Sequence, residues 1–367
     1  MTGGYWLPRS LHPGAWWVWA LGAAAAATFT TNPLLLTLIL TVAGYVVVSR
    51  RTEAPWALSF RLYLMLGAFI VGMRVAYRLV FGGGEGQTVL LRLPEVPLPA
   101  WAAGIRLFGT VSAESLLGGL YDGLRLATMV ACVGAANALA NPKRLLKAVP
   151  GALAEVCTAV VVSVTVFPQL VESLQRVRRA RRLRGGPTGG RGALRSVAVP
   201  VLADALDRSL LLAASMDSRG YGRHGQTPRR SVLLTSGLLL GGLVGICAGV
   251  YGTLDGQAPA ELGAPMLLLG GAVAVAGLVL AGRRVRRSRY RPDRWGLAET
   301  VVGLCGAAAA AAMAAAVRLE PAALQPPLSP LGWPTLPWPA VAGILAASLP
   351  AWLTPAPLPR PGPGVHR

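Results

Sequence analysis

Apolar runs about as long as a bilayer is thick recur from one end of this 367-residue chain to the other. A membrane-spanning helix needs about twenty predominantly apolar residues. Runs of that kind lie near 15–31, 33–49, 60–81, 118–140, 231–253, 265–282, 297–317 and 338–353, and a further stretch, 149–171, also qualifies on hydropathy. Composition agrees: 53% of residues are hydrophobic, 14% are charged, and the mean hydropathy is +0.52. The expected fold is an all-α polytopic membrane helix bundle.

Charge orders the runs. The net charge is +20, and it is concentrated. Thirteen Lys and Arg residues fall between 172 and 230, against the four acids Glu172, Asp204, Asp207 and Asp217, and seven arginines fall between 283 and 294. Cytoplasmic loops carry the excess of Lys and Arg. With the N-terminus inside, Arg50 and Arg51 fall inside, the balanced loop 82–117 falls outside, and "NPKRLLK", 141–147, falls inside again. If 149–171 crossed, the densest basic segment would be exported. Its Glu155, Pro168 and Gln169 also suit lipid poorly. Eight spans with both termini in the cytoplasm satisfy every loop. The expected organisation is transmembrane helices over 1–140, a cytoplasmic coupling-helix block over 141–230, transmembrane helices over 231–282, and a basic loop with a transmembrane extension over 283–367. The N-terminal run leads straight into a second span through "TTNP", which favours a retained hairpin over a cleaved signal. The expected location is the cell membrane. Nucleic acid is not an expected partner, because no helix-turn-helix or aromatic-interleaved pattern accompanies the charge.

Within 141–230, Leu170, Leu174, Val177, Ala180 and Leu183 recur at helical spacing along "PQLVESLQRVRRARRLRG", and Glu172–Arg176 is a favourable i,i+4 pair. "GPTGGRG" breaks this helix, and a second runs through "VLADALDRSLLLAASMDSRG", with Asp204–Arg208 as another i,i+4 pair. Both apolar faces are too wide for water, so the helices should pack on each other and on the membrane interface. In the spans, Gly241, Gly245 and Gly249 form small-xxx-small steps that bring helices close. Trp16, Trp17, Trp295, Trp338 and Trp352 lie near span ends, as interface anchors do. Asp122 and Arg125 are spaced to pair at i,i+3, with Arg74 and Arg78 on one face of the third span.

Catalytic signatures are missing. Neither lysine, Lys143 or Lys147, follows a glycine, so there is no phosphate-binding loop and no expected ATP hydrolysis. The three histidines are scattered, and Cys132, Cys157, Cys247 and Cys305 all lie in apolar runs outside any C-x-x-C spacing. Buried free thiols are expected, with no metal, no cofactor and no enzymatic activity.

Two Arg-Gly steps remain, in "RRARRLRGG" and in "SMDSRGYG". Each ends a helix. Glycine suits the left-handed turn after a helix, and arginine complements the helix dipole by about 0.3–1 kcal/mol. That explains either step alone. Two on neighbouring helices of one basic block place two guanidiniums at exposed tips, where forked, charge-assisted bonds to a partner's carboxylates or carbonyls are available.

"ARRLRGG" and "SMDSRGYG", a helix apart, resemble the paired Ala-Arg-Gly signatures of energy-coupling factor transporter T components, the EcfT/CbiQ-like family. The resemblance runs from "TTNPLLLTL" through "NPKRLLKAVP" to "MDSRGYG", about the first 225 residues. It implies a membrane scaffold that does no chemistry itself. Its coupling helices would dock on two ABC-type ATPase subunits, and its membrane face would hold a substrate-binding S component for vitamin or metal-ion uptake. The docking positions it implies are Ala180, Leu183, Arg184 and Gly185 in the first copy, and Met216, Asp217, Ser218, Arg219, Gly220 and Tyr221 in the second. Leu183 and Ser218 stand where the signature has alanine. The alternative is a self-contained secondary transporter or channel, which needs a polar midplane site or broken, repeated helices.

Overall fold

A computed structural model describes residues 8–52, 59–81, 86–94, 96–97, 106–148, 153–183, 191–221, 229–255, 259–284, 293 and 295–357. The chain divides into two compact units, Met1–Ala148 with Arg291–Arg367, and Val149–Tyr290.

In the first unit, the opening helices start where the sequence supplies caps. His12 Nδ1 accepts from the Gly14 N–H at 3.1 Å ahead of α1 (Pro13–Thr28), and Asn32 Oδ1 accepts from the Leu34 N–H at 3.0 Å ahead of α2 (Pro33–Arg50). Each helix has proline at its first position, where the missing N–H costs nothing. α3 (Phe60–Val80) follows, then two small antiparallel strand pairs within the 82–117 loop: β1 (Val89–Arg92) on β4 (Thr110–Ser112), and β2 (Val96–Pro97) on β3 (Arg106–Leu107). α4 (Ala113–Leu139) is capped by Ser112, and α5 (Pro142–Ala148) carries the "PKRLLKA" segment. After residue 291 the chain adds α10 (Leu297–Leu319), α11 (Pro321–Leu324), α12 (Trp338–Ala346) and α13 (Pro350–Leu353).

The core of this unit holds α1 and α2 against α4 on one side and α10 and α12 on the other. Close helix approach depends on missing side chains. A Cβ at Gly22 would collide with the Gly306 backbone, which lets α1 and α10 touch. Gly67, Gly123 and Gly134 do the same between α3 and α4: a Cβ at Gly123 would lie 3.0 Å from Val71 Cα, and one at Gly134 2.5 Å from Tyr63 Cβ. The α3–α4 pair also carries the intramembrane charges. Asp122 does not pair with Arg125 as spaced; it faces Arg78 at 4.0 Å, while the Arg125 guanidinium donates to the Thr28 carbonyl at the end of α1.

The second unit is built from two helix pairs. α6 (Ala154–Leu183) packs on α7 (Arg191–Ser218), and α8 (Arg229–Leu254) packs on α9 (Ala264–Arg284) through a short helical turn at Ala260–Leu262. Gly242, Gly245 and Gly249 line the α8–α9 seam; a Cβ at Gly242 would sit 2.5 Å from the Ala274 nitrogen. Gly241 does not belong to the seam. It meets nothing within 4 Å, because the contact follows the 242–245–249 face of the helix.

Among the described residues, seven helices are long and apolar enough to cross a membrane: six of the eight expected spans, together with Val156–Ala180 inside α6. The two remaining spans differ from expectation. α1 has 16 residues, a length of about 24 Å, short of the roughly 30 Å hydrocarbon core. The run Trp338–Leu353 is an apolar helical stretch too short to count among the seven, and it is not regular throughout. It breaks at Ala347–Leu349 into α12 and α13, where Pro350 has no N–H to continue the ladder. The helix read from Pro168 begins fourteen residues earlier, at Ala154, with Pro168 inside it. Proline there removes one backbone bond, and the apolar run before it keeps the helix going.

Two smaller expectations also change. Trp16 is a core residue, 5% exposed and edge-on to Trp19, whereas Trp338 and Trp352 lie at the surface at 81% and 62%. Cys132 and Cys305 are buried free thiols, but Cys247 is exposed and Cys157 half-buried.

Candidate functional site

The second unit holds the two helices that precede the Arg-Gly steps, and their described C-terminal residues, Leu183 and Ser218, lie on opposite sides of the α6–α7 crossing. α6 and α7 run antiparallel where they cross, since Gln169 on α6 meets Arg208 on α7 and Ser173, one turn further along α6, meets Asp204, one turn back on α7. The crossing is polar. Arg208 Nε donates to Asp204 Oδ1 at 3.1 Å, the i,i+4 pair expected from sequence, and Arg208 Nη1 reaches Gln169 Oε1 at 3.4 Å. Ser173 is buried, and its hydrogen bond to Asp204, followed by the bond from Arg208, holds the Asp204 carboxyl below the usual aspartate range. Arg176 adds to that field. It does not form the expected pair with Glu172: both are exposed, and no ion pair joins them among the described residues.

The apolar stripe on α6 is partly used. Leu170, Leu174 and Val177 are half-buried, but Ala180 is exposed and Leu183 stands 90% exposed at the helix end. On α7, Leu202, Leu206, Leu210 and Leu211 all remain exposed. Each helix therefore keeps a broad uncovered apolar surface alongside its charged tip.

That tip is well defined for the second step. The Gly220 N–H donates to the Asp217 carbonyl at 2.8 Å, and the Tyr221 N–H donates back to the Met216 carbonyl at 3.0 Å. Gly220 has φ +75°. These are the two bonds of a Schellman cap, with glycine at the left-handed position. The cap is made by backbone alone. The Ser218 hydroxyl donates to the Ser215 carbonyl at 2.9 Å, while Asp217, Ser218, Arg219 and Tyr221 are exposed and Met216 is half-buried. Among the described residues, the Arg219 guanidinium makes no hydrogen bond or ion pair. The fold thus uses the glycine of the step, and among the described residues the arginine stays unemployed at the surface. Arg184 and Gly185, the first step, lie outside the described residues.

Other chemistry finds little footing. Among the described residues, no group of three His, Cys, Asp or Glu side chains is placed to hold a metal ion. A cavity of about 10 Å³ inside the first unit is lined by Trp19, Ala23, Ile39, Val42, Ile344 and neighbouring alanines. That is room for at most one water, and the walls are apolar, so it offers no substrate site.

Sequence pattern located α7's end but missed its neighbour across the pair. Ser173 is an unremarkable serine in the sequence, and only the antiparallel crossing turns it into the buried partner of Asp204.

Comparison with known proteins returns one family. No curated protein matches the chain. The profile of the CbiQ family, described as cobalt transport protein, matches residues 6–229, which is more than half of the chain and includes α1 to α7 with both Arg-Gly steps. With its long apolar helices, this is a multi-pass membrane protein that belongs to the CbiQ cobalt transport family.

Proposed function

We propose that the chain is the T component of an energy-coupling factor importer: a membrane scaffold whose α6 and α7 ends dock on two cytoplasmic ABC-type ATPases, and whose membrane face carries a substrate-binding S component. The observation that carries this reading is the tip of α7. Arg219 is exposed, and among the described residues unpartnered, at a helix end already capped by the Gly220 and Tyr221 backbone. Among the described residues nothing uses its charge, which leaves it available to a partner. The family match supports a transport component, and Leu183, the last described residue of α6, is 90% exposed.

The coupling is mechanical. Two arginines gripped by different ATPase subunits convert relative motion of those subunits into motion of α6 against α7. The polar crossing at Gln169–Arg208 and Ser173–Asp204 is the hinge across which that motion passes. In this reading residues 141–230 stay on the cytoplasmic side and α6 lies along the interface, although Val156–Ala180 is long enough to cross. Transport specificity, for a vitamin or a metal ion, belongs to the S component.

Reversing single charges tests it. Arg219→Glu and Arg184→Glu are expected to weaken ATPase capture by about 2–5 kcal/mol, the cost of breaking a buried charged hydrogen bond. Arg179→Glu and Arg287→Glu, with the same change in charge, are expected to cost no more than a dipole interaction, about 0.3–1 kcal/mol. The double tip variant should insert normally, keep its S component and lose uptake. Equal effects at all four positions would leave lipid attraction as the role of the arginines and end the docking assignment.

A further inference from the structure

Residues 297–357 lie outside the stretch that the CbiQ profile matches, yet they form one wall of the first unit's core. Trp19, Leu35, Leu36, Val46 and Val47 of the matched stretch are fully buried, in clusters completed by Val302, Met313, Leu324 and Ile344. Acyl chains could cover apolar side chains of this kind. They cannot cover the polar groups on the same face.

Those groups are specific. The Asn32 amide nitrogen donates to the Ala323 carbonyl at 2.8 Å and to the Thr335 carbonyl at 2.7 Å. The Thr30 hydroxyl donates to the Leu324 carbonyl at 2.7 Å, and the Thr31 and Asn32 N–H groups donate to the same carbonyl at 3.0 and 3.2 Å. The Trp19 indole donates to the Ala347 carbonyl at 2.9 Å, and Arg50 Nε donates to the Ala351 carbonyl at 3.0 Å. Asn32 and Trp19 are completely buried and Thr30 is 1% exposed. Every one of these donors points at a backbone carbonyl of residues 323–351. For the Trp19 indole, midway along α1, lipid tails would hold no acceptor, and a buried donor without one is costly; the donors of the 30–32 turn and Arg50 are taken up by specific carbonyls instead of water.

The contacts also grip both ends of the α1–α2 hairpin. Leu324 and Thr335 close the 30–32 turn. Midway along α1 Ala347 meets Trp19, and at the other end Ala351 meets Arg50 and Glu299, 1% exposed, binds Arg9 at 3.2 Å. The α1–α2 face is shaped for protein, and its occupant is already attached.

We propose that residues 297–357 act as a built-in membrane partner seated on the α1–α2 hairpin, so that this face is closed to any separate membrane protein and a second membrane subunit binds elsewhere on the chain. The inference does not depend on ATPase docking.

The test keeps the full chain. A protease site inserted after Arg287 allows the N-terminally tagged protein to be cut after insertion and purification in mild detergent. The C-terminal fragment is expected to stay with the tagged part through gel filtration. Asn32→Leu keeps the volume but removes the side-chain bonds. It is expected to raise the fraction released by about tenfold or more, since two hydrogen bonds, to Ala323 and Thr335, are lost. Release as complete from the unsubstituted protein as from the variant would overturn the proposal. In the uncut chain in native membranes, a photocrosslinker at half-buried Leu38, which packs against this core, is expected to crosslink within the chain. Capture of a second polypeptide there would also overturn it, and this arm stands even if Asn32→Leu fails to fold.

Discussion

Gly241 and Gly242 are adjacent in α8, and replacing each by alanine should move stability in opposite directions. At Gly241 a new Cβ meets nothing within 4 Å. The only effect is on the helix itself, where alanine is better than glycine by about 0.5–1 kcal/mol. At Gly242 the same Cβ would lie 2.5 Å from the Ala274 nitrogen, 2.7 Å from its Cα and 2.8 Å from its Cβ. Ordinary contact begins near 3.4 Å, so α8 and α9 must part by roughly 1 Å, and the obstructing atoms are mostly backbone that no rotamer change can clear. Overpacking of this kind costs about 1–3 kcal/mol, which outweighs the helix gain. The two variants should therefore differ by about 1–3 kcal/mol, or several degrees in Tm at about 2–4 °C per kcal/mol for a domain of this size. Thermal unfolding of both in one detergent, followed by a thiol-reactive dye or by light scattering, reads the difference. Shifts of the same sign, or a destabilised Gly241→Ala, would refute the assignment of the seam to the 242–245–249 face and restore the 241–245–249 face that spacing alone favours.

Gly220→Ala should strain the α7 cap without any steric contact, since Gly220 has φ +75° and nothing within 4 Å; a loss of about 1 kcal/mol is expected, read as faster hydrogen exchange at the Gly220 and Tyr221 amides. The Asp204 carboxyl is held below its usual range by Ser173 and then Arg208, so its contribution is present above the ordinary aspartate pKa of about 3.9 and is lost as pH falls through the lowered native value. Carboxyl NMR titration should show that lowered value, and Ser173→Ala should raise it towards the ordinary one; an unchanged titration would remove the Ser173 bond from the account. Accessibility reporters at Leu145 and Gly189 should both report the cytoplasm if α6 lies along the membrane interface, and an exterior signal at Gly189 would make α6 a spanning helix.

Much of this protein is legible in one dimension because a bilayer imposes simple rules. Length and apolarity alone place α2, α3, α4, α8, α9 and α10, since a helix in hydrocarbon must satisfy its backbone internally and needs little from its neighbours to form. The end of α7 is equally local: glycine after arginine marks a left-handed cap, and the bonds from Gly220 and Tyr221 form it. Where the outcome depends on what lies opposite, the pattern misleads. Spacing assigns Gly241 to a helix contact, but α9 meets the next residue. It joins Asp122 to Arg125, but α3 offers Arg78. The run 338–353 has the composition of a span, yet a turn at Ala347–Leu349 ahead of Pro350 divides it into α12 and α13. Above all, nothing in the first fifty residues announces that Trp19, Thr30 and Asn32 find their acceptors some three hundred residues later, on Ala347, Leu324 and Thr335. Helix formation is decided within a few turns of chain. Which face of each helix is covered, and by what, is decided only when distant segments meet.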